Sequence, residues 1–218
     1  AILSEKYHLP VGLENDGKAA ALAELWLGNL KKTPNSAAVV LGTGVGGGVI
    51  LNGQLLYGTH FQAGEFSFML NNFNDSNFIK AAVGGNTSAV GMIRDIGVAL
   101  ALPNPTDGIA VFKEIKGGNP IAVAKFTHFC NYVAKMILNV QSVVDLQRYV
   151  IGGGISAQPL VVKTVNAEYD QMLAATPIIH DTLTKPEIIA AKFGNDANLY
   201  GALYSLLQQM NGERQAVI

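Results

Sequence analysis

Two stretches of this sequence run from β-forming residues straight into consecutive glycines: VVLGTGVGGG (Val39 to Gly48) and YVIGGGIS (Tyr149 to Ser156). Glycine lets a backbone turn tightly and come close to another group. A pair of such turns at strand ends is what a phosphate or nucleotide cleft in an α/β protein uses. The rest of the chain fits that class, because strand and helix signals alternate along it. Pro10 to Glu14 reads as a short strand, and Asn15 and Asp16 as N-caps of an Ala/Leu-rich helix from Lys18 to Leu30. Ala37 to Leu41 reads as a buried strand, Gly42 to Gly48 as a glycine turn. Val49 to Leu51 and Gln54 to Leu56 form a hairpin across Asn52-Gly53. Gly84-Gly85 is expected to open a helix running through Met92 and Ile96. Val123, Phe126, Cys130, Val133, Ile137 and Val140 recur at helical spacing in a long helix from Ile121 to Leu146. Tyr149 to Ile151 is a strand, Gln158 opens a helix, and Glu187 to Ala191 is a last strand. A terminal helix, Ala197 to Met210, carries Leu199, Leu203, Leu206 and Met210 on one face.

Composition narrows the function. Of 218 residues, 49% are hydrophobic and 14% charged, enough apolar surface for a sizeable core and the opposite of a disordered chain. Fifteen basic residues face 16 acidic ones, a net charge of −1, which argues against nucleic-acid binding through a basic surface. A small anion held by backbone groups stays possible. Cys130 is the single cysteine, which excludes an internal disulfide and any multi-cysteine metal cluster. No apolar run approaches the ~18–20 residues that span a bilayer, and Ala1 to Pro10 does not read as a signal peptide. A cytoplasmic enzyme or binding domain is the expectation. The start at Ala1 points to a processed, tagged or truncated chain.

Gly42-Thr43-Gly44-Val45-Gly46-Gly47 satisfies GxGxxG, but a dinucleotide site needs a helix straight after the turn, and a hairpin follows instead. Two readings survive: a strand–turn–strand whose N–H groups and Thr43 hydroxyl face anionic oxygens, or a tight hairpin in a crowded core. GLENDGK (Gly12 to Lys18) imitates a P-loop, yet Ala19 replaces the Ser/Thr that holds Mg²⁺ and the loop interior is acidic. Glu14-Asn15-Asp16 is either a plain helix cap or a carboxylate at the mouth of a sheet, placed to take a proton from a substrate hydroxyl. Glu65, in AGEFSF, is either solvated or paired, or binds a polar ligand such as a neutral sugar. His8, His60, His128 and His180 lack zinc-site spacing, and His128 reads as structural within the long helix. No GxSxG elbow supports a hydrolase.

Taken together and in order, PVGLENDGKAAALAE (Pro10–Glu24), VVLGTGVGGGVILNGQLLYG (Val39–Gly58), AGEFSFM (Ala63–Met69), VIGGGIS (Val150–Ser156) and DANLYGALYSLL (Asp196–Leu207) resemble the ROK family of sugar kinases and sugar-responsive repressors. The resemblance implies the actin-like, ribonuclease H-like two-lobed ATPase fold. It implies residues 1–33 as the end of an N-terminal lobe and hinge, and residues 34–195 as the C-terminal lobe. Residues 196–218 would then form a terminal helix returning toward the N-terminal lobe. Asp16 matches the catalytic base, Asn15 a ligand of a sugar hydroxyl, and Glu65 a sugar-binding glutamate. Gly42, Thr43 and Gly44 match a phosphate-contacting loop, and Gly153 and Gly154 the turn beside the adenosine. The implied reaction uses ATP and Mg²⁺: Asp16 takes the proton of a sugar hydroxyl as it attacks the γ-phosphorus. Family members commonly form homodimers.

Two departures matter. Phe68 stands where many members carry a zinc-binding histidine, and NNFNDSNFIK (Asn71 to Lys80) holds no cysteine, so no zinc is expected. The sugar pocket, with Phe68 in its lining, is thereby more open and more apolar, and the pattern is similar to the β-glucoside kinase branch. The family's first phosphate loop does not occur in these residues. The chain therefore reads as a C-terminal portion that keeps its large lobe and is inactive alone. The competing readings are the sugar-sensing domain of a ROK repressor and a non-catalytic sugar-binding protein.

Overall fold

In the computed structural model, residues 2–212 are described; Ala1 and residues 213–218, the end of the expected terminal segment, lie outside the described residues. The run SAAVVL is almost wholly buried, so it can only be a central strand, and β1 (Ser36–Leu41) is one. On one side β1 pairs antiparallel with β2 (Val45–Leu51), which turns at Asn52-Gly53 into the short β3 (Gln54–Leu55). On its other side β1 runs parallel to β4 (Arg148–Gly152), and β4 parallel to β5 (Glu187–Ala190), giving the order β3-β2-β1-β4-β5. Asn52 and Gly53 both have positive φ, 53° and 76°, the backbone that a two-residue hairpin turn needs.

Helices cover both faces. Before the sheet come α1 (Ile2–Tyr7) and α2 (Asp16–Leu27). Between β3 and β4 lie the short α3 (Phe78–Ala81) and α4 (Val83–Asn86), then α5 (Ala89–Ala99), α6 (Gly108–Lys116) and α7 (Pro120–Val144). After β4 come α8 (Pro159–Ala175), α9 (Pro177–Thr182) and, beyond β5, α10 (Ala197–Met210). Alternation along β1 sorts its side chains. Ala37, Val39 and Leu41 join Phe126, Val133 and Ile137 of α7 and Val161 and Val165 of α8 in the main core. Ala38 points the other way, into a smaller core with Ala21 and Leu22 of α2, Ile50 and Val150.

On that second face α10 lies along α2. A Cβ on Gly201 would collide with the Ala19 carbonyl, so glycine is what lets the helices touch backbone to backbone. Trp26 and Tyr204 stack beside this contact at 5.1 Å. The tail of α2 is fastened by Glu24, a buried carboxylate that accepts N–H bonds from Asn29 (2.7 Å), Lys192 (2.7 Å) and Phe193 (2.9 Å). The face of α10 with Leu199, Leu203 and Met210 is exposed. Among the described residues no helix is long and apolar enough to cross a membrane.

Four local expectations are corrected. Residues 10–14 form no strand: Val11 and Leu13 are exposed, Gly12 faces Leu206 of α10, and the segment pairs with no strand among the described residues. The glycine turn is shorter than Gly42 to Gly48, because Gly46, Gly47 and Gly48 belong to β2. They are glycine because β2 is crowded there; a Cβ on Gly48 would lie 2.7 Å from the Ala21 Cβ. Gly84-Gly85 ends up in the four-residue α4, and Ser88 caps a separate α5 by accepting the Gly91 N–H at 2.9 Å. Along α7, Val123 lies on the exposed side, and so does His128, whose ring meets Tyr132 edge-on at 4.7 Å rather than entering the core.

Candidate functional site

The site starts at the amino end of α2. Asn15 caps it, its side chain accepting the Lys18 N–H at 3.1 Å, a contact of about 1 kcal/mol in such caps. Asp16 is the first helical residue, where the helix dipole favours a negative charge. One carboxylate oxygen takes the Gly17 N–H at 2.7 Å, and no other hydrogen bond reaches the carboxylate among the described residues. The exposed Asp16 and Asn15 are carried over β2 by a close crossing: a Cβ on Gly17 would lie 2.5 Å from the Gly47 nitrogen.

That crossing sets Asp16 beside the first glycine bend. Asp16, Gly42, Thr43, Gly44 and Ser67 line one cleft of about 260 Å³. The bend is closed by the Gly42 N–H on the Gly44 carbonyl (2.9 Å) and backed by α5, whose Ala89 N–H reaches the Gly42 carbonyl (2.9 Å). The N–H groups of Thr43 and Gly44 make no hydrogen bond among the described residues. A Cβ built on Gly42 meets nothing within 4 Å, so there is room over the bend. Unpaired donors beside open space suit anionic oxygens. Ser67, which the sequence reading passed over, braces the bend by donating to the Val45 carbonyl (2.8 Å) and accepting the Val45 N–H (3.1 Å).

The second bend is next door, since Val40 pairs with Gly152 across the parallel strands. Gly153 has φ 95° and packs so tightly on Leu41 that a Cβ would overlap the Leu41 carbonyl. With Glu24 and Asn195, among others, it lines a separate cavity of about 270 Å³ that shares Val40 with the Asp16 cleft. Gly154 is exposed, with nothing within 4 Å of a Cβ built on it.

Glu65 and Phe68 flank Ser67, which lines the Asp16 cleft. They line a broad cavity of about 710 Å³ with Gln62 and Met69. Phe68 is 65% exposed and the Glu65 side chain 36%. Glu65 is not isolated: the ammonium of Lys18 lies 3.9 Å from its Oε1. Lys18, which the sequence reading dismissed as part of a false P-loop, is thus a buried cation two residues from Asp16. The structure therefore brings Asp16 together with Gly42, Thr43 and Gly44, and puts Glu65 and Phe68 in one adjoining cavity. Gly153 and Gly154 follow the neighbouring strand.

A five-stranded mixed sheet in this order, covered by helices on both faces and carrying glycine bends on two adjacent parallel strands, is the actin-like ATPase fold. A crystal structure of a ROK family protein from Streptococcus pneumoniae, in complex with sucrose, overlays with a TM-score of 0.85 at 30% identity, covering 96% of this chain and 70% of that one. The sequence matches the ROK family model over residues 1–209, and the chain belongs to the ROK family. Similar relatives include a β-glucoside kinase of Listeria innocua, 29% identical over 93% of this chain and 67% of its own length. A glucokinase of Halalkalibacterium halodurans is 28% identical over 96% of this chain and 67% of its own.

Proposed function

We propose that the full-length protein transfers the γ-phosphoryl group of ATP to a hydroxyl of a hexose or β-glucoside, with Asp16 as general base. The observation that carries this reading is the shared cleft: an exposed carboxylate at a helix start, facing a glycine bend with free N–H donors. In that reaction Asn15 and Glu65 hold sugar hydroxyls, and Asp16 accepts the proton as the hydroxyl oxygen attacks phosphorus. The bend at Gly42, Thr43 and Gly44 receives the phosphate oxygens, and its fixed donors need no rearrangement as charge shifts toward the leaving diphosphate. Gly153 and Gly154 leave the strand end open for the nucleoside. Mg²⁺ bound with the triphosphate would neutralise part of its charge, and Asp16 is the carboxylate in the cleft that would face it. The wide cavity beside Glu65, with exposed Phe68 on its wall, leaves space for an aglycone, as does the kinship with β-glucoside kinases.

The test is a phosphorylation screen with ATP and Mg²⁺ against glucose, cellobiose, gentiobiose, N-acetylmannosamine and aryl β-glucosides. Asp16→Asn is expected to lower kcat at least about 100-fold while sugar binding persists. Equal turnover in the variant would remove Asp16 from the reaction.

A further inference from the structure

Lys18 is the residue that the proposed reaction leaves unused. It is 2% exposed, on a helix whose other buried residues from Gly17 to Ala23 are glycine, alanine and leucine. Lysine is almost never this buried unless it is paired, because removing an ammonium from water is costly. Its one ion pair among the described residues is with Glu65, and at 3.9 Å that pair is too long for a hydrogen bond. The ammonium therefore acts on Glu65 as a point charge and leaves both carboxylate oxygens their acceptor capacity. No other hydrogen bond or ion pair reaches the Glu65 side chain among the described residues.

Stability does not explain this arrangement. Glu65 is part-exposed and is solvated without a counter-ion, and a methionine would fill the space of the lysine stem with no desolvation cost. What the charge does achieve is local: it draws the Glu65 carboxylate toward α2, the helix that carries Asp16.

We infer that Lys18 is a positioning residue for the acceptor sugar: its buried charge fixes the place of Glu65, so that sugar hydroxyls bound there lie in register with Asp16. This inference rests on the kinase reading and deepens it. It couples the sugar pocket to the catalytic helix through a residue that touches neither sugar nor phosphate.

A double-mutant cycle in the full-length protein tests it. The readout is the calorimetric Kd of the tightest binder among glucose, cellobiose, gentiobiose and phenyl β-glucoside, which needs no turnover. Lys18→Met and Glu65→Gln are each expected to weaken binding about tenfold or more, the scale of a lost charge-assisted hydrogen bond. The double variant is expected to be no weaker than the poorer single one, because Lys18 acts through Glu65. Lys18→Arg keeps the charge and is expected to retain most of the affinity. An unchanged Kd in Lys18→Met overturns the inference, as does a double variant whose losses multiply. If Lys18→Met fails to fold, Lys18→Gln carries the test; unfolding of both makes the lysine a structural residue and rejects the proposal. A protein that binds sugar in this pattern but never phosphorylates it refutes the kinase reading and leaves the Lys18 result standing.

Discussion

Tyr169 is fully buried, and its hydroxyl finds no hydrogen-bond partner among the described residues. A buried hydroxyl without a partner costs desolvation free energy and returns none. Tyr169→Phe is therefore expected to leave stability unchanged or raise it by up to about 1 kcal/mol, read from urea denaturation midpoints. The neighbouring Tyr149 contrasts with it, donating to Gln141 Oε1 at 3.2 Å. Tyr149→Phe removes one of the two hydrogen bonds that Gln141 Oε1 accepts, the other coming from the Leu146 N–H at 3.1 Å, and is expected to destabilise by about 1 kcal/mol. At this scale the sequence was read unevenly. Asp16 and Glu65 stood out as polar residues beside apolar or small-residue runs, while the roles expected of them came from the family resemblance. Lys18 did not, because its pairing spans 47 residues and its immediate context imitates a phosphate loop.

Among the elements, the α2–α10 contact is the most exacting. Gly201→Val would drive a branched side chain into the Ala19 backbone, and is expected to cost at least about 3 kcal/mol and lower Tm accordingly. The segment from Asn71 to Lys80 is held by side-chain hydrogen bonds: Asn77 accepts from the Ile79 and Lys80 N–H groups, and Asn86 of α4 donates to the Lys80 and Ala82 carbonyls. Such turns order a loop without a metal. Elemental analysis is accordingly expected to find no zinc, and chelation to leave Tm unchanged; stoichiometric zinc would contradict this account. Strands, the hairpin and the long helix were readable from periodicity and turn residues. The failures share a cause. Residues 10–14 have the residue types of a strand and lack a neighbour to pair with. The glycines of β2 look like a turn because their reason lies in α2, which crosses them. The break at Ser88 depends on a cap that only the folded chain forms.

For the molecule as a whole, burial pushes the Tyr169 hydroxyl up to about 12, and it raises Tyr149 and the Cys130 thiol further in the same direction. Groups that hold their protons more tightly when folded contribute stability that is full below their unfolded values, near 9.0 for the thiol and 10.0 for the tyrosines. That contribution is lost as pH rises through the folded values. Denaturation midpoints are expected to hold steady on the neutral side of about pH 9 and to fall steadily above it. Cys130 is expected to resist alkylation until the protein unfolds, which mass spectrometry would record.

The grip of Glu24 on the segment entering α10 has a mechanical meaning. Helix α2 is tethered at its tail and carries the proposed base, Asp16, at its head, so it works as a rigid arm about 12 Å long between Glu24 and Asp16. Swinging such an arm by about five degrees displaces its tip by about 1 Å. A misplacement of that size is enough to cost a reaction about two orders of magnitude in rate. Small angular play at the Glu24 anchor would thus act as a throttle on chemistry at the far end, without any residue near the substrate being changed.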